Sequence, residues 1–195
     1  MSPATASLFA WLALLVGTPG VLSGQIEPVN PPPWPEQLRV RAVTTSPQGA
    51  LSVDTIYYDW PGNRNIIRIQ SQGNASDLYD LELGTGQEYY YTPATSSCTP
   101  MTFPVGILRP DWLANATYLD STTVQGVPCD IWGKAKMLDV ELDRAAPGRI
   151  SEWFIRYFAS VEDGTPLRWI FFDGRQQDIV EFTPGATLPE EAWEV

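Results

Sequence analysis

Short segments of alternating apolar and polar residues, separated by turns rich in glycine and proline, recur along most of this 195-residue chain. In residues 37–45, for example, Leu38 and Val40 alternate with arginines. A period of two places every second side chain on one face of a β-strand, and short turns join antiparallel neighbours. The pattern predicts about ten strands, at residues 37–45, 51–60, 65–72, 78–83, 87–92, 118–124, 127–136, 153–160, 166–172 and 178–183. Helical periodicity is limited to residues 110–114 and 189–193, so the predicted fold class is all-β.

Two of these segments, residues 153–160 and 169–172, are apolar at both odd and even positions. A strand of this kind requires cover on both faces of its sheet, and the chain offers almost no helix to provide it. The cover must then be a second sheet, the same sheet curled on itself, a bound apolar ligand or another subunit, so a homodimer is one possibility.

Residues 1–24 are predicted to be a secretory signal peptide. Residues 8–16 form an apolar run that is too short to span a bilayer and that ends in glycine- and proline-rich sequence. Cleavage would leave a single β domain at 25–195, with a proline-rich lead-in at 25–36 and an exposed insertion at 137–151. No second long apolar run follows, so we expect a secreted protein, or one in the endomembrane lumen or vacuole, with no integral membrane segment.

Export determines how the two cysteines and the two glycosylation sequons are interpreted. In an oxidising compartment, Cys98 and Cys129 predict one disulfide, which would close a loop of about 30 residues. Two buried free thiols are the alternative. Asn74 and Asn115 begin Asn-Ala-Ser and Asn-Ala-Thr sequons, and both are predicted glycosylation sites.

Charge and composition exclude several classes of function. The formal net charge is −11, and without a basic stripe to release counterions from phosphates, nucleic acid is not an expected partner. The chain has no histidine, which removes Ser-His-Asp and Cys-His nucleophile systems and most zinc and haem sites. The acidic residues at 139, 141 and 143 are interpreted as a solvated face, because the glycine and amide ligands of a calcium loop are missing. No metal site and no cofactor is predicted.

Four segments resemble a secreted plant and algal family of unassigned function whose members are often labelled glycosyl-group transferases. They read Tyr-Tyr-Asp-Trp-Pro-Gly-Asn-Arg-Asn-Ile-Ile at 57–67, Leu-Tyr-Asp-Leu-Glu at 78–82, Phe-Pro-Val-Gly-Ile-Leu-Arg-Pro-Asp-Trp-Leu at 103–113 and Cys-Asp-Ile-Trp at 129–132. The transferase label has no support in these residues, because neither a Rossmann-like βα pattern nor an acidic metal-binding triplet is present.

The order of features is also similar, more remotely, to that of ependymin-related proteins and their bacterial lipoprotein-carrier (LolA-like) relatives. The shared order is a Tyr/Asp-rich strand, a cysteine-containing strand, an irregular apolar loop and then a Gly-Val-Pro-Cys-x-x-Trp strand. This resemblance implies a strongly curved antiparallel half-barrel with an apolar pocket.

These observations predict a secreted glycoprotein that binds a hydrophobic or amphipathic small ligand in the concavity of a curved sheet, without catalysis. The candidate ligand-binding residues are apolar or aromatic: Ile56, Tyr58, Trp60, Phe103, Ile107, Trp112, Trp132 and Trp169. Residues 103–113 are predicted to cover the open side of the sheet as a lid.

Two alternatives belong to other functional classes. The first is a carbohydrate-active protein, either a cell-wall-binding module or a transferase or hydrolase that uses carboxylates such as Asp59 and Glu82. The second is an extracellular protein–protein module, which predicts an exposed apolar patch.

Overall fold

The computed structural model describes residues 30–103, 106–135 and 153–193. Within these residues the chain forms eleven strands. They are β1 Gln37–Thr45, β2 Leu51–Asp59, β3 Arg64–Ser71, β4 Leu78–Leu83, β5 Gln87–Thr92, β6 Ser97–Thr102, β7 Thr117–Val124, β8 Val127–Ala135, β9 Trp153–Ser160, β10 Pro166–Phe171 and β11 Gln176–Pro184. Two short 3-10 helices, Pro93–Thr95 and Glu190–Trp193, complete the described secondary structure.

All eleven strands form one antiparallel sheet in the order β6-β5-β4-β3-β2-β1-β11-β10-β9-β8-β7. Strands that are consecutive in sequence are adjacent in the sheet, with the exception of β6 and β7, and the first strand, β1, pairs with the last, β11, at the centre. The strands β6 and β7 are consecutive in the chain but form opposite edges of the sheet. The segment between them must therefore cross the whole width of the sheet.

The strand register assigns side chains to two faces. Val40, Ile56 and Ile67 lie opposite one another on β1, β2 and β3, and we call the face that they share the inner face. Ile66 and Leu81 are paired on the other side, which we call the outer face. Successive residues of a strand point to opposite faces. These pairs therefore assign a face to all the remaining residues of the paired strands, as far as the first β-bulge.

The sheet is strongly curved toward its inner face. Tyr58 on β2 and Trp169 on β10 are three strand spacings apart, which corresponds to about 14 Å in a flat sheet. Both rings nevertheless contact the ring of Trp34, at centroid distances of 5.7 and 5.4 Å. The predicted all-β fold with a curved, open antiparallel sheet is confirmed.

The inner face is covered by the segment between the two edge strands. We call its described part, residues 106–116, the lid; together with Trp34 from the lead-in, it packs on apolar side chains of the central strands. Gly106 lies so close to Gly84 that a Cβ at position 106 would overlap the Gly84 carbonyl oxygen. The other end of the lid reaches β8, where Lys134 Nζ donates to the Ala114 carbonyl at 2.6 Å.

The outer face carries two clusters of buried residues. Near the first half of the sheet, the C-terminal segment brings Trp193 against Ile66 and Leu81. At the other end, Phe158 and Cys129 belong to a small cluster of buried residues on the same face.

Several boundaries differ from the sequence expectations. β6 is an additional strand that is absent from the ten predicted from alternation, and all six of its residues are exposed. Residues 110–114 form turns rather than a helix, whereas the short helix expected at 189–193 is present as a 3-10 turn. The predicted signal peptide at 1–24 and insertion at 137–151 lie outside the described residues. No helix in the described ranges is long and apolar enough to cross a bilayer.

Candidate functional site

The curved sheet brings most of the predicted ligand-binding residues together. One cluster, formed between the lid and the inner face, buries six of them: Ile56, Tyr58, Ile107, Trp112, Trp132 and Trp169. Trp60 packs against that cluster. Phe103 is separate, because it follows β6 at the sheet edge and remains 38% exposed. The register explains this grouping, since it places the sheet residues of the set on the inner face.

Aromatic rings fill the space between the lid and the sheet. Trp34 stacks on Trp169 and meets Trp112 edge-on, at 5.5 Å between ring centroids. Trp112 in turn meets Tyr157 edge-on at the same distance. The Trp34 Nε1–H donates to the Tyr157 hydroxyl at 3.2 Å, and burial raises the pKa of that hydroxyl above its ordinary range. The concavity is thus occupied by the protein's own side chains.

Few polar contacts hold the lid. Among the described residues, three hydrogen bonds join it to the rest of the protein, and each ends on a lid carbonyl oxygen. The Tyr58 hydroxyl donates to Leu108 at 2.8 Å, the Trp34 backbone N–H donates to Pro110 at 2.8 Å, and Lys134 donates to Ala114. Burial raises the pKa of Tyr58 above its ordinary range, so this hydroxyl keeps its proton and acts as a donor.

Two polar atoms inside the apolar cluster have no partner. The indole Nε1 atoms of Trp112 and Trp169 are buried and make no hydrogen bond in the described structure. A buried donor without an acceptor is unfavourable by about 1–3 kcal/mol. The cluster is therefore apolar in its walls but carries two unused hydrogen-bond donors.

Two shallow depressions flank the lead-in. The larger, of about 240 Å³, lies between Pro31, Pro33 and Leu113. The smaller, of about 170 Å³, lies between Trp34 and Pro166. Both are smaller than the roughly 300 Å³ at the lower end of small-molecule pockets.

The prediction of a disulfide is wrong: Cys98 and Cys129 are both free thiols. Cys98 is exposed on the edge strand β6 and Cys129 is buried on β8, and eight strands separate β6 from β8 in the sheet. A disulfide requires Cα atoms within about 7 Å. The lid segment between the two cysteines spans the sheet, so residues close in sequence end far apart.

The two predicted glycosylation residues lie in exposed loops. Asn74 is in the turn between β3 and β4, where its Oδ1 accepts a hydrogen bond from the Ser76 backbone at 3.1 Å. Asn115 lies one residue before the end of the lid and has a left-handed backbone conformation, with φ of 60°. Neither side chain is buried, so both are sterically accessible for modification.

Asp59 and Glu82 do not form the carboxylate pair considered for a hydrolase. Asp59 is paired with Arg64 on the outer face, where Arg64 Nε donates to Asp59 Oδ2 at 3.1 Å. Burial alone would raise the pKa of Asp59, but hydrogen bonds from three donors, among them Arg64, lower it below its ordinary value. Glu82 lies on the inner face, opposite Asn65. Two carboxylates on opposite faces of a sheet cannot flank one glycosidic bond.

A group of carboxylates that sequence reasoning missed lies on the inner face of β4 and β5. Asp80, Glu82 and Glu88 each place a carboxylate oxygen within 4.8 Å of the others. The available signal was the Asp-x-Glu alternation on β4 together with the short turn to Glu88. Burial, followed by the neighbouring charges of Glu82 and Glu88, raises the pKa of Asp80 to about 8. Burial also raises the pKa of Glu82.

The fold and the buried cluster define an open-sheet β-protein with a lid over its inner face. The chain belongs to the family described as a domain of unknown function (DUF8395), whose model matches residues 33–195.

The chain is similar to solved structures at the level of the fold. The structure of an uncharacterized conserved protein from Thermus thermophilus has a TM-score of 0.54 and 10% identity, covering 82% of this chain and 84% of that chain. A structure of PNGF-II has a TM-score of 0.36 and 5% identity, covering 81% of this chain and 30% of that chain, a level that supports no inference. No curated protein matches the sequence.

Proposed function

We propose that this protein is a secreted glycoprotein that binds a hydrophobic or amphipathic small molecule between the inner face and the lid, with the lid displaced on binding. One observation carries the proposal: the apolar inner face of the sheet is covered by an irregular segment rather than by a strand or a second sheet. Lid residues Ile107, Trp112 and Leu113 occupy the position that a ligand would take.

The lid is the element most able to move, because few hydrogen bonds attach it to the rest of the chain. Strands are joined by continuous ladders of backbone hydrogen bonds, whereas three hydrogen bonds join the described lid to the rest of the chain. Regions with few backbone hydrogen bonds to their surroundings open at lower free energy than the sheet core. A ligand that replaces the lid's apolar contacts would shift the protein toward this open state.

The two unpartnered indole donors favour an amphipathic ligand over a pure hydrocarbon. Trp112 Nε1 and Trp169 Nε1 lie within otherwise apolar surroundings. A ligand with an apolar body and one acceptor group, such as a carboxylate or hydroxyl, would bury its body against the rings and satisfy a donor.

The proposal is tested with protein from a secretory host. Native mass spectrometry with lipid extraction is expected to find a co-purified amphipathic molecule, and the delipidated protein is expected to bind NBD-stearate. Tyr58→Phe removes one lid hydrogen bond worth about 1 kcal/mol, so uptake should be about fivefold faster. Tyr118→Phe is the matched control, because it removes a hydroxyl from the exposed edge strand. If folded wild type and Tyr58→Phe contain no lipid and bind no probe, the proposal is wrong.

A second candidate, carbohydrate binding, is favoured by the tyrosines of the outer face. Tyr79 and Tyr91 lie directly opposite each other on β4 and β5, and both are only half-buried. Rings exposed in a row offer a stacking surface for sugars. A glycan array should then give a signal that Tyr91→Ala abolishes and that Tyr58→Phe leaves unchanged. An array without signal would exclude this candidate.

A further inference from the structure

The carboxylate group on β4 and β5 lies apart from the lidded cluster and serves no part of the proposed ligand site. Glu82 and Glu88 are directly opposite each other in the hairpin, and Asp80 is two residues before Glu82 on the same face. Their carboxylate oxygens approach within 4.8 Å of one another. Three acids at this spacing repel one another unless protons or a cation neutralise them.

Burial makes this repulsion costly. Asp80 is 7% exposed and Glu88 is 8% exposed. Within the described part of the chain, no lysine or arginine forms a salt bridge with any of the three carboxylates, although the charge of Arg175 acts on Glu82 from a distance. Buried charges without a partner are strongly unfavourable, so this group requires a compensating species.

A neutral side chain beside the group points to what that species is. Asn65 is 9% exposed, and its Nδ2 donates to Glu82 Oε2 at 2.8 Å, which positions its amide against the carboxylates. The Asn65 Oδ1 atom has no hydrogen-bond partner, and neither does Asp80 Oδ1. Both are buried acceptors, and buried acceptors normally have a donor or a cation beside them. One shared proton would serve a single pair of oxygens and would leave Asn65 Oδ1 unsatisfied.

We propose that Asp80, Glu82, Glu88 and the amide oxygen of Asn65 form a binding site for a hard divalent cation, with calcium the best fit by size. All the donors are oxygens, which calcium and magnesium prefer. Calcium–oxygen distances of about 2.3–2.6 Å place opposite ligands up to about 5 Å apart, whereas magnesium limits this separation to about 4.2 Å. The carboxylate oxygens lie within 4.8 Å of one another, a range that calcium can bridge in full.

Proton and cation compete for the same oxygens. Metal ligands must be deprotonated, so calcium would bind the carboxylate form of each acid. Tyr90 also faces Asp80, and burial, followed by its hydrogen bond with Glu88, raises the pKa of its hydroxyl above the ordinary range. Tyr90 thus stays neutral and acts as a nearby light-absorbing group.

The test uses the full exported chain after treatment with EDTA. Calorimetric titration with calcium chloride at about pH 7.5 is expected to show saturable binding. Terbium ions should give luminescence on tyrosine excitation, because Tyr90 adjoins the site. Asp80→Asn and Glu88→Gln should each weaken calcium binding by more than about tenfold. Glu162→Gln, in the exposed turn between β9 and β10, is the matched control and should bind as the wild type does.

Circular dichroism and urea unfolding establish that each variant is folded, which is expected because each change removes charge from a repulsive group. The proposal is overturned if the folded wild type shows neither calcium heat nor terbium luminescence. It is equally overturned if Asp80→Asn and Glu88→Gln bind calcium as well as Glu162→Gln does, since the ion would then be bound elsewhere.

Discussion

The most direct consequence of the buried carboxylates is a loss of stability with rising pH that Asp80→Asn should remove. In the folded chain the pKa of Asp80 is raised to about 8 from an ordinary value of 3.8. Between these values the native state holds a proton that the unfolded state has released. The stabilisation is complete below the unfolded pKa and is lost as the pH rises through the folded pKa.

The size of the effect follows from the pKa difference. One pKa unit corresponds to about 1.4 kcal/mol, so a shift from 3.8 to about 8 sets an upper limit of about 6 kcal/mol. The proton is distributed over Asp80, Glu82 and Glu88, which lowers the share that one substitution removes. We expect wild type to lose at least about 2 kcal/mol more than Asp80→Asn between about pH 5 and about pH 9.

The measurement is urea unfolding at several pH values in buffer containing EDTA, so that no cation masks the repulsion. Asparagine has the shape of a protonated aspartic acid and donates hydrogen bonds in its place. The free energy of unfolding of Asp80→Asn should therefore vary less with pH, while that of Glu162→Gln should follow the wild type. Parallel curves for wild type and Asp80→Asn would show that Asp80 titrates near its ordinary pKa, and the reasoning would be refuted.

Three further outcomes are expected. Trp112→Ala should lower the free energy of unfolding by about 3–5 kcal/mol, because it leaves a cavity at the centre of the cluster. Phe103→Ala should lower it by less than about 1 kcal/mol. Equal losses in urea titrations would contradict the assignment of Trp112 to the core. In the native state Ellman's reagent should react with Cys98 alone, and Cys129 should react only after unfolding. If neither cysteine reacts under denaturing conditions, the two form a disulfide. Arg64→Ala should lower the urea midpoint, and Arg64→Lys should restore it only in part, because lysine lacks the planar fork with which Arg64 donates to both Asp59 and Glu190. Full restoration would show that charge alone matters.

The sequence by itself determined most of the strands. The bounds predicted at 37–45, 78–83, 87–92 and 153–160 are those of β1, β4, β5 and β9. Alternation and turn chemistry are local properties, so they can be read from neighbouring residues. β6 was missed for the same reason: it is a fully exposed edge strand with a proline, and it has no buried face to produce alternation.

Only the tertiary structure decided which residues meet. Six of the eight predicted ligand residues share one cluster because the sheet curves and the lid folds onto its inner face. The same crossing of the lid carries Cys98 and Cys129 far apart, although 30 residues between them suggested a closed loop.

Register decided the remaining features, and register is set by pairing between strands rather than within one. It places Asp59 and Glu82 on opposite faces of the sheet. It also places Asp80, Glu82 and Glu88 on the inner face together with Asn65. A shift of a single residue in the pairing of β4 would move its carboxylates to the outer face and abolish the proposed cation site. Composition predicts that acids are present in this chain, but the pairing of β3, β4 and β5 is what brings three of them within reach of one ion.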